Sequence, residues 1–80
     1  MKTDIVGKYE GGALDIEIYI KGDSLYFRRL WVDAKLIDSD KEDCFNLESN
    51  WTSKLVIRRD RAGIVIGLED LNQNYFYKKI

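Results

Sequence analysis

The stretch LDIEIYIK, residues Leu14–Lys21, decides the fold because every second residue in it is apolar. Successive side chains of a β-strand point to opposite faces, so this alternation predicts a strand with one buried face and one wet face. A turn pair, Gly22 and Asp23, follows, and the alternation resumes in LYFR, residues Leu25–Arg28. Glycine readily adopts the positive φ that a tight turn requires. The two runs together predict a β-hairpin.

The same period of two extends along the rest of the chain. The runs are separated by short polar or glycine-containing segments, at the spacing of roughly 8–12 residues that is typical of antiparallel all-β domains. No window shows a sustained helical period. The best candidate for helix is a single turn over Leu68–Asn72, and we expect little or no helix. Further strands are predicted at Ile5–Tyr9, Trp31–Ile37, Cys44–Leu47, Lys54–Arg59, Ile64–Leu68 and Tyr75–Tyr77.

Eighty residues allow one domain, which we place at residues 1–80. The pattern predicts an all-β fold, either a small antiparallel up-and-down β-barrel or a strongly curled meander of seven or eight short strands. The chain contains no proline to protect exposed strand edges, and closure into a barrel removes such edges altogether. An open sheet that completes its edges in a dimer is the alternative, so we expect a monomer or a weak homodimer.

The composition excludes several function classes. Thirteen basic residues against 14 acidic residues give a net charge of −1, which disfavours a strongly electrostatic nucleic-acid or membrane binder. The absence of histidine removes the usual general base, and one cysteine cannot form an intrachain disulfide. No stretch has the length of a membrane span and no signal peptide is visible, so a complete chain would be cytoplasmic and an excised domain would leave the compartment open.

Several short motifs resemble a known family of small all-β domains that lie C-terminal to β-lactamase-like serine hydrolases. The opening Val6-Gly7-Lys8-Tyr9 resembles the Gly-x-Tyr start of that family, and the turn Gly22–Tyr26 resembles its Asp/Gly turn followed by Leu-Tyr. Leu36, the acidic loop and Asp43-Cys44-Phe45 are similar to the elements that come next. The hairpin Ile57–Leu68 resembles the apolar, Arg-Asp, Gly, apolar, Gly-Leu hairpin, and Tyr75–Lys79 resembles the terminal aromatic-Lys stretch.

The resemblance implies a lipocalin-like, up-and-down β-barrel of accessory or unknown role, with a larger serine-hydrolase-like domain or another protein as partner. The catalytic machinery of the hydrolases does not carry over. Ser24, Ser39, Ser49 and Ser53 all lack a lysine three positions later, which is the spacing that such a nucleophile needs.

The candidate reaction chemistry is weak. The series Asp38, Asp40 and Glu42 superficially resembles a calcium loop, but Asp43 stands where an EF-hand needs glycine, and we interpret the segment as a solvated acidic turn. Nucleophilic catalysis would have to use Cys44, which has no histidine to activate it, so a hydrolase based on Cys44 is a disfavoured alternative. We predict no enzyme activity, no metal site and no cofactor.

Binding of single-stranded nucleic acid is the second alternative. Arginines and lysines at 28–29, 58–61 and 78–79 stand near aromatic residues at 26–27 and 75–77, and single-strand binders combine a basic groove with stacking aromatic side chains. The near-neutral charge and the acidic segment 38–43 argue against it. Alternation places Phe27 and Phe76 opposite Tyr26 and Tyr75/Tyr77, so one of these two sets is expected in the core.

The favoured function is a non-catalytic accessory or interaction domain that docks on a partner domain or binds a small apolar ligand. Inward Leu, Ile and Phe side chains favour a filled barrel interior. Trp31 is out of phase with the apolar positions around it and Trp51 lies in a polar segment; exposed tryptophan is enriched at contact sites, although both rings could instead cap the barrel ends. The predicted binding residues are Trp31, Trp51, Tyr26, Tyr75, Arg28 and Arg58.

Overall fold

The computed structural model describes residues 3–11, 14–30, 32–48 and 54–80, with the backbone alone for residue 14. These residues form eight strands in which each strand pairs with its sequence neighbours and the last pairs with the first, so that the sheet closes into an antiparallel up-and-down barrel. The all-β prediction is confirmed. The strands are β1 (Gly7–Gly11), β2 (Leu14–Lys21), β3 (Ser24–Arg29), β4 (Val32–Asp38), β5 (Cys44–Leu47), β6 (Lys54–Arg59), β7 (Val65–Asp70) and β8 (Tyr75–Lys79).

The hairpin that the sequence predicts is the longest ladder of the barrel. β2 and β3 pair over six positions, from Lys21 opposite Ser24 to Ile16 opposite Arg29. Gly22 turns the chain with a φ of 64°, a conformation that glycine adopts without steric cost. Closure between β1 and β8 is much shorter, because only Tyr9 with Lys79 and Glu10 with Lys78 are paired.

One end of the barrel contains both the start of the first strand and the end of the last strand. The β2–β3, β4–β5 and β6–β7 connections lie at one end, together with the start of β1 and the end of β8. We call this the terminal end. The other ends of the strands lie at the opposite end of the barrel.

Side chains fill the barrel interior. Inward positions alternate with outward ones along each strand, which is why the apolar period of two produces a continuous core. Ile20 and Val32 share the apolar phase, yet they are 43% and 40% exposed because each lies near a strand end. Among the residues whose burial is described, fifteen apolar ones are buried: Ile5, Tyr9, Ile16, Ile18, Leu25, Phe27, Ala34, Leu36, Phe45, Leu47, Leu55, Ile57, Val65, Leu68 and Tyr77.

The prediction that one aromatic set forms the core is wrong, because each set is divided. Phe27 and Tyr77 are buried, whereas Phe76 is 45% exposed. Tyr77 pairs with the buried Leu68, and this register turns Phe76 outward. The strand register therefore overrides the greater apolarity of phenylalanine.

The N-terminal segment also differs from the prediction of a strand over Ile5–Tyr9. A 3-10 turn occupies Thr3–Ile5, and β1 begins only at Gly7. The side chain of Ile5 is fully buried in the core, and the Tyr9 hydroxyl donates a 2.6 Å hydrogen bond to the Ile5 carbonyl. The turn thus fills the terminal end of the barrel at the start of β1.

The segment Leu68–Asn72, which was the one candidate for a helical turn, is not helical. Leu68 continues β7, which runs to Asp70. The buried Asp70 carboxylate accepts hydrogen bonds from the backbone N–H groups of Asn72 and Gln73 at 3.0 and 3.2 Å. This Asx-type turn reverses the chain into β8.

Candidate functional site

Cross-strand pairing assembles a polar and aromatic cluster on the outer face of β2, β3 and β4. Tyr19 lies opposite Tyr26, with ring centroids 5.8 Å apart and nearly parallel. The guanidinium of Arg28 lies 4.4 Å from the Tyr19 ring centroid. We call Glu17, Tyr19, Tyr26, Arg28 and Asp33 the aromatic–arginine patch.

The arginine of this patch is held by carboxylates. Arg28 Nε donates a 2.9 Å hydrogen bond to Asp33 Oδ1, and its Nη1 lies 3.8 Å from Glu17 Oε1. The hydrogen bond from Arg28 lowers the pKa of the Asp33 carboxyl and raises the pKa of Arg28 itself. The patch therefore combines stacked rings with a guanidinium whose charge is balanced locally.

The structure does not bring all the predicted binding residues together. Tyr26 and Arg28 share the patch, but Arg58 lies on β6, which does not adjoin β3. Arg58 donates to Glu69 Oε1 through Nε at 2.9 Å and through Nη2 at 2.5 Å. Tyr75 lies at the start of β8, edge-on to Tyr77 with ring centroids 4.9 Å apart. Trp31 and Trp51 lie outside the described residues.

A second candidate site lies where the pairing between β3 and β4 ends. Their ladder runs from Arg29 opposite Val32 to Tyr26 opposite Lys35, and it ends there. β3 nevertheless extends to Ser24 along β2, and β4 extends to Asp38 along β5. The strand segments 24–25 and 36–38 are thus each paired on one side only.

An open cleft of about 890 Å³ occupies this gap at the terminal end, within the size range of ligand sites. Three side chains from the barrel core, Leu25, Leu36 and Phe45, line its apolar part. The rim is charged and comes mainly from the β4–β5 connection. Its ionisable residues are Asp23, Lys35, Asp38, Asp40, Lys41, Glu42 and Asp43.

Arg59 holds one wall of the cleft to the N-terminal turn. Its Nε donates to Asp43 Oδ2 at 2.8 Å, and its Nη1 donates to Asp4 Oδ2 at 2.5 Å and to the Gly63 carbonyl at 2.9 Å. The hydrogen bond from Arg59 lowers the pKa of Asp4, and the two carboxylates raise the pKa of Arg59. Asp43 adopts a φ of 61°, which is rare for a residue with a side chain.

The acidic segment that superficially resembles a calcium loop forms part of the cleft rim. Within the described ranges, no group of three or more His, Cys, Asp or Glu side chains is placed to hold a metal ion. Cys44 is half-buried and also lines the cleft, among Asp40, Glu42 and Asp43.

Two features of this site, the contacts of Arg59 and the cleft itself, were not predicted from the sequence. The arginine run 58–59 was noted only as possible contact surface, although Arg59 joins residues 55 and 16 positions away. The cleft itself depends on where a ladder stops. The one available signal was the dense acidic segment 38–43, which now proves to form the rim.

Comparison of the chain with models of known families, with curated proteins and with solved structures finds no match. In the described part of the chain, no helix has the length and apolar character needed to cross a membrane.

Proposed function

We propose that this β-barrel is a non-catalytic accessory domain that docks on a partner protein by receiving a segment of it in the cleft between β3 and β4. The observation that carries the proposal is the early end of the β3–β4 ladder, which leaves two strand segments paired on one side only beside an open cleft. Exposed strand edges are templates for pairing with another chain. The lipocalin-like resemblance makes a larger serine-hydrolase-like domain a natural candidate for the partner.

A small apolar ligand is less well supported as the occupant. The barrel interior is occupied by the fifteen buried side chains, and an eight-stranded barrel has room for either such a filling or one small ligand. The cleft offers an apolar floor, but its rim is densely charged. A purely apolar molecule would remove water from that charged rim without offering it any hydrogen bond in return.

Single-stranded nucleic acid is also less well supported. The aromatic–arginine patch contains stacked rings and an arginine, but Asp33 and Glu17 already contact that arginine. Arg58 is held by Glu69, and Arg59 is held by Asp4 and Asp43. Phosphate groups would have to displace these carboxylates, which would weaken the electrostatic attraction on which such binding depends.

The proposal can be tested by selecting random twelve-residue peptides, displayed on phage, against the wild-type domain. A recovered peptide is then titrated into the ¹⁵N-labelled protein. We expect the largest chemical-shift changes at Ser24, Leu25 and residues 36–38. Recovery of no peptide above the insert-free phage, or shift changes confined to the aromatic–arginine patch, would contradict the proposal.

A matched pair of variants localises the binding. Ser24→Tyr places a ring in the cleft lining, whereas Asn46→Tyr places the same ring on the exposed face of β5, away from that lining. Tyrosine is well tolerated in strands, so both variants should fold. We expect Ser24→Tyr to weaken peptide binding about tenfold, and Asn46→Tyr to leave it unchanged.

A further inference from the structure

We infer that the segment received by the cleft is extended and positively charged, and that it pairs as an added strand with the free edge of β4. This inference rests on the proposed docking function and names the chemistry of its partner. It is carried by three features of the cleft: the direction of the backbone groups of β4, the apolar floor, and the balance of charges on the rim.

The backbone direction follows from the pairing of β4 with β5. The Lys35 carbonyl accepts a 3.0 Å hydrogen bond from Glu48 N–H, and Ser39 N–H donates to the Cys44 carbonyl at 3.2 Å. In an antiparallel strand, consecutive residues direct their N–H and C=O groups to opposite sides. The groups of Leu36 and Asp38 therefore point away from β5, toward the cleft.

The β3 wall presents a second edge of the same kind. Because Lys35 is directed toward β5, Ala34 is directed toward β3, where it lies opposite Phe27. Two positions before Phe27, Leu25 has the same orientation and lies one position beyond the last residue pair of the ladder. An extended segment in the cleft would thus meet backbone donors and acceptors on both walls.

The apolar floor and the charged rim of the cleft favour different side chains in the bound segment. An added strand would place alternate side chains inward, over Leu25, Leu36 and Phe45, and the others outward. The inward positions suit small apolar side chains. The outward positions face the charged rim, so a segment that alternates valine with a charged residue matches both surfaces.

The sign of that charge follows from the rim. By formal charge, the cleft lining contains five carboxylates, from Asp23, Asp38, Asp40, Glu42 and Asp43, and two ammonium groups, from Lys35 and Lys41. Arg59 adds one guanidinium, which donates a paired hydrogen bond to Asp43. The rim is therefore negative although the whole chain is nearly neutral. Complementary charge favours lysine or arginine in the bound segment.

The test uses three acetylated and amidated eight-residue peptides in which valine alternates with lysine, glutamine or glutamate. Each is titrated into the full ¹⁵N-labelled chain at about 0.02 M and about 0.2 M salt. We expect the lysine peptide to bind in the cleft about tenfold more tightly than the glutamine peptide, with the difference shrinking at the higher salt. We also expect the amide proton of Asp38 to exchange more slowly in the complex.

Charge-neutral variants provide the control. The triple variant Asp23→Asn, Asp38→Asn and Asp40→Asn should bind the lysine peptide only as tightly as the wild type binds the glutamine peptide. The matched variant Glu10→Gln, Asp15→Asn and Glu48→Gln neutralises three exposed carboxylates outside the cleft. It should bind the lysine peptide as the wild type does.

Three outcomes would overturn the inference. Equal binding of the lysine and glutamine peptides in the cleft would remove the charge requirement while leaving docking intact. Lysine-peptide binding that persists in the first triple variant would place the contact elsewhere. Failure of all three peptides to bind would also overturn it, and the peptide selection described above would then decide the docking function separately.

Discussion

Arg59 joins the N-terminal turn to the wall of the cleft across 55 positions of sequence. Its guanidinium contacts the Asp4 carboxylate in the N-terminal turn and the Asp43 carboxylate beside the cleft. An arginine presents several donors in a fixed planar arrangement, which suits two carboxylates better than a lysine ammonium does. Arg59 thereby couples the position of the N-terminal turn to one wall of the cleft.

The Asp4–Arg59 contact predicts a pH-dependent stability. The hydrogen bond from Arg59 lowers the pKa of Asp4 below 3.8 in the folded state. As the pH falls through the unfolded and then the folded pKa, the unfolded chain binds the proton first, so the free energy of unfolding decreases. Asp4→Asn should cost about 0.5–1 kcal/mol at pH 6. Its difference from the wild type should shrink as the pH falls below about 4. Urea unfolding of the wild type and of Asp4→Asn at pH 6 and pH 3 measures the cost at each pH. An equal cost at the two pH values would contradict a contribution from the charged Asp4 carboxylate.

The buried hydroxyl of Tyr9 gives a second prediction at this scale. Tyr9→Phe leaves the Ile5 carbonyl without its 2.6 Å hydrogen bond, and we expect a loss of about 1 kcal/mol in the free energy of unfolding. Burial raises the pKa of Tyr9, so its contribution is present below about pH 10 and decreases as the pH rises further. Tyr26→Phe, on the outer face, is the control, and an equal loss in both variants would exclude a special role for the buried bond.

At the scale of the strand, β7 contains a β-bulge that turns an apolar residue toward solvent. Arg58 pairs with Gly67 but Arg59 pairs with Val65, so Ile66 is an extra residue that forms a β-bulge and is 44% exposed. Gly67 then lies beneath the ring of Phe76 on β8. An aromatic ring over a strand glycine replaces the packing that the glycine lacks.

This arrangement makes Gly67 intolerant of a side chain. A Cβ at position 67 would lie 2.4 Å from Phe76 Cζ and 2.4 Å from the Tyr77 carbonyl oxygen. We expect Gly67→Ala to destabilise the domain by about 1–3 kcal/mol, measured by chemical denaturation. In a Phe76→Ala background the cost should be smaller but not zero, because the carbonyl remains. A cost that Phe76→Ala does not reduce would show that the ring is not the obstacle.

The strands themselves were largely predictable, and the exceptions have physical causes. Alternation alone located β2, β5 and β6 at their observed bounds. It ended β7 too early, at Leu68, because the polar residues Glu69 and Asp70 that complete the strand carry no apolar signal. It also failed at Ile5, whose burial depends on the barrel end that it fills. In both places tertiary contacts, which have no local signal, decide the structure.

At the scale of the whole molecule, the seam between β1 and β8 is the ladder with the fewest residue pairs among the described strands. It contains two residue pairs and the hydrogen bond from Ile80 N–H to the Lys8 carbonyl, whereas β2 and β3 pair over six positions. Local opening is easiest where few backbone hydrogen bonds must break together. We expect the amide protons of Glu10 and Lys78 to exchange faster than those of Tyr19 and Tyr26. Native-state hydrogen exchange measures this, and uniform protection would indicate that the barrel opens only as a whole.

The candidate site was far less predictable than the barrel. The aromatic–arginine patch required knowledge of which outward residues lie opposite one another, and the cleft required knowledge of where a ladder stops. Neither has a signature in the alternation of apolar residues, because the alternation continues through Ser24–Leu25 and Leu36–Asp38 as if the two strands were fully paired. The negative charge of segment 38–43 was visible, but its position beside an open strand edge was not.

The position of the cleft at the terminal end has a consequence for fused proteins. Any domain joined to Ile80 by a flexible linker would leave the barrel at the same end as the cleft opens. A tether of matching length gives an effective local concentration on the order of millimolar, so even a weak segment of that domain would occupy the cleft most of the time. Lengthening the linker should weaken this intramolecular occupancy gradually, without altering a single contact.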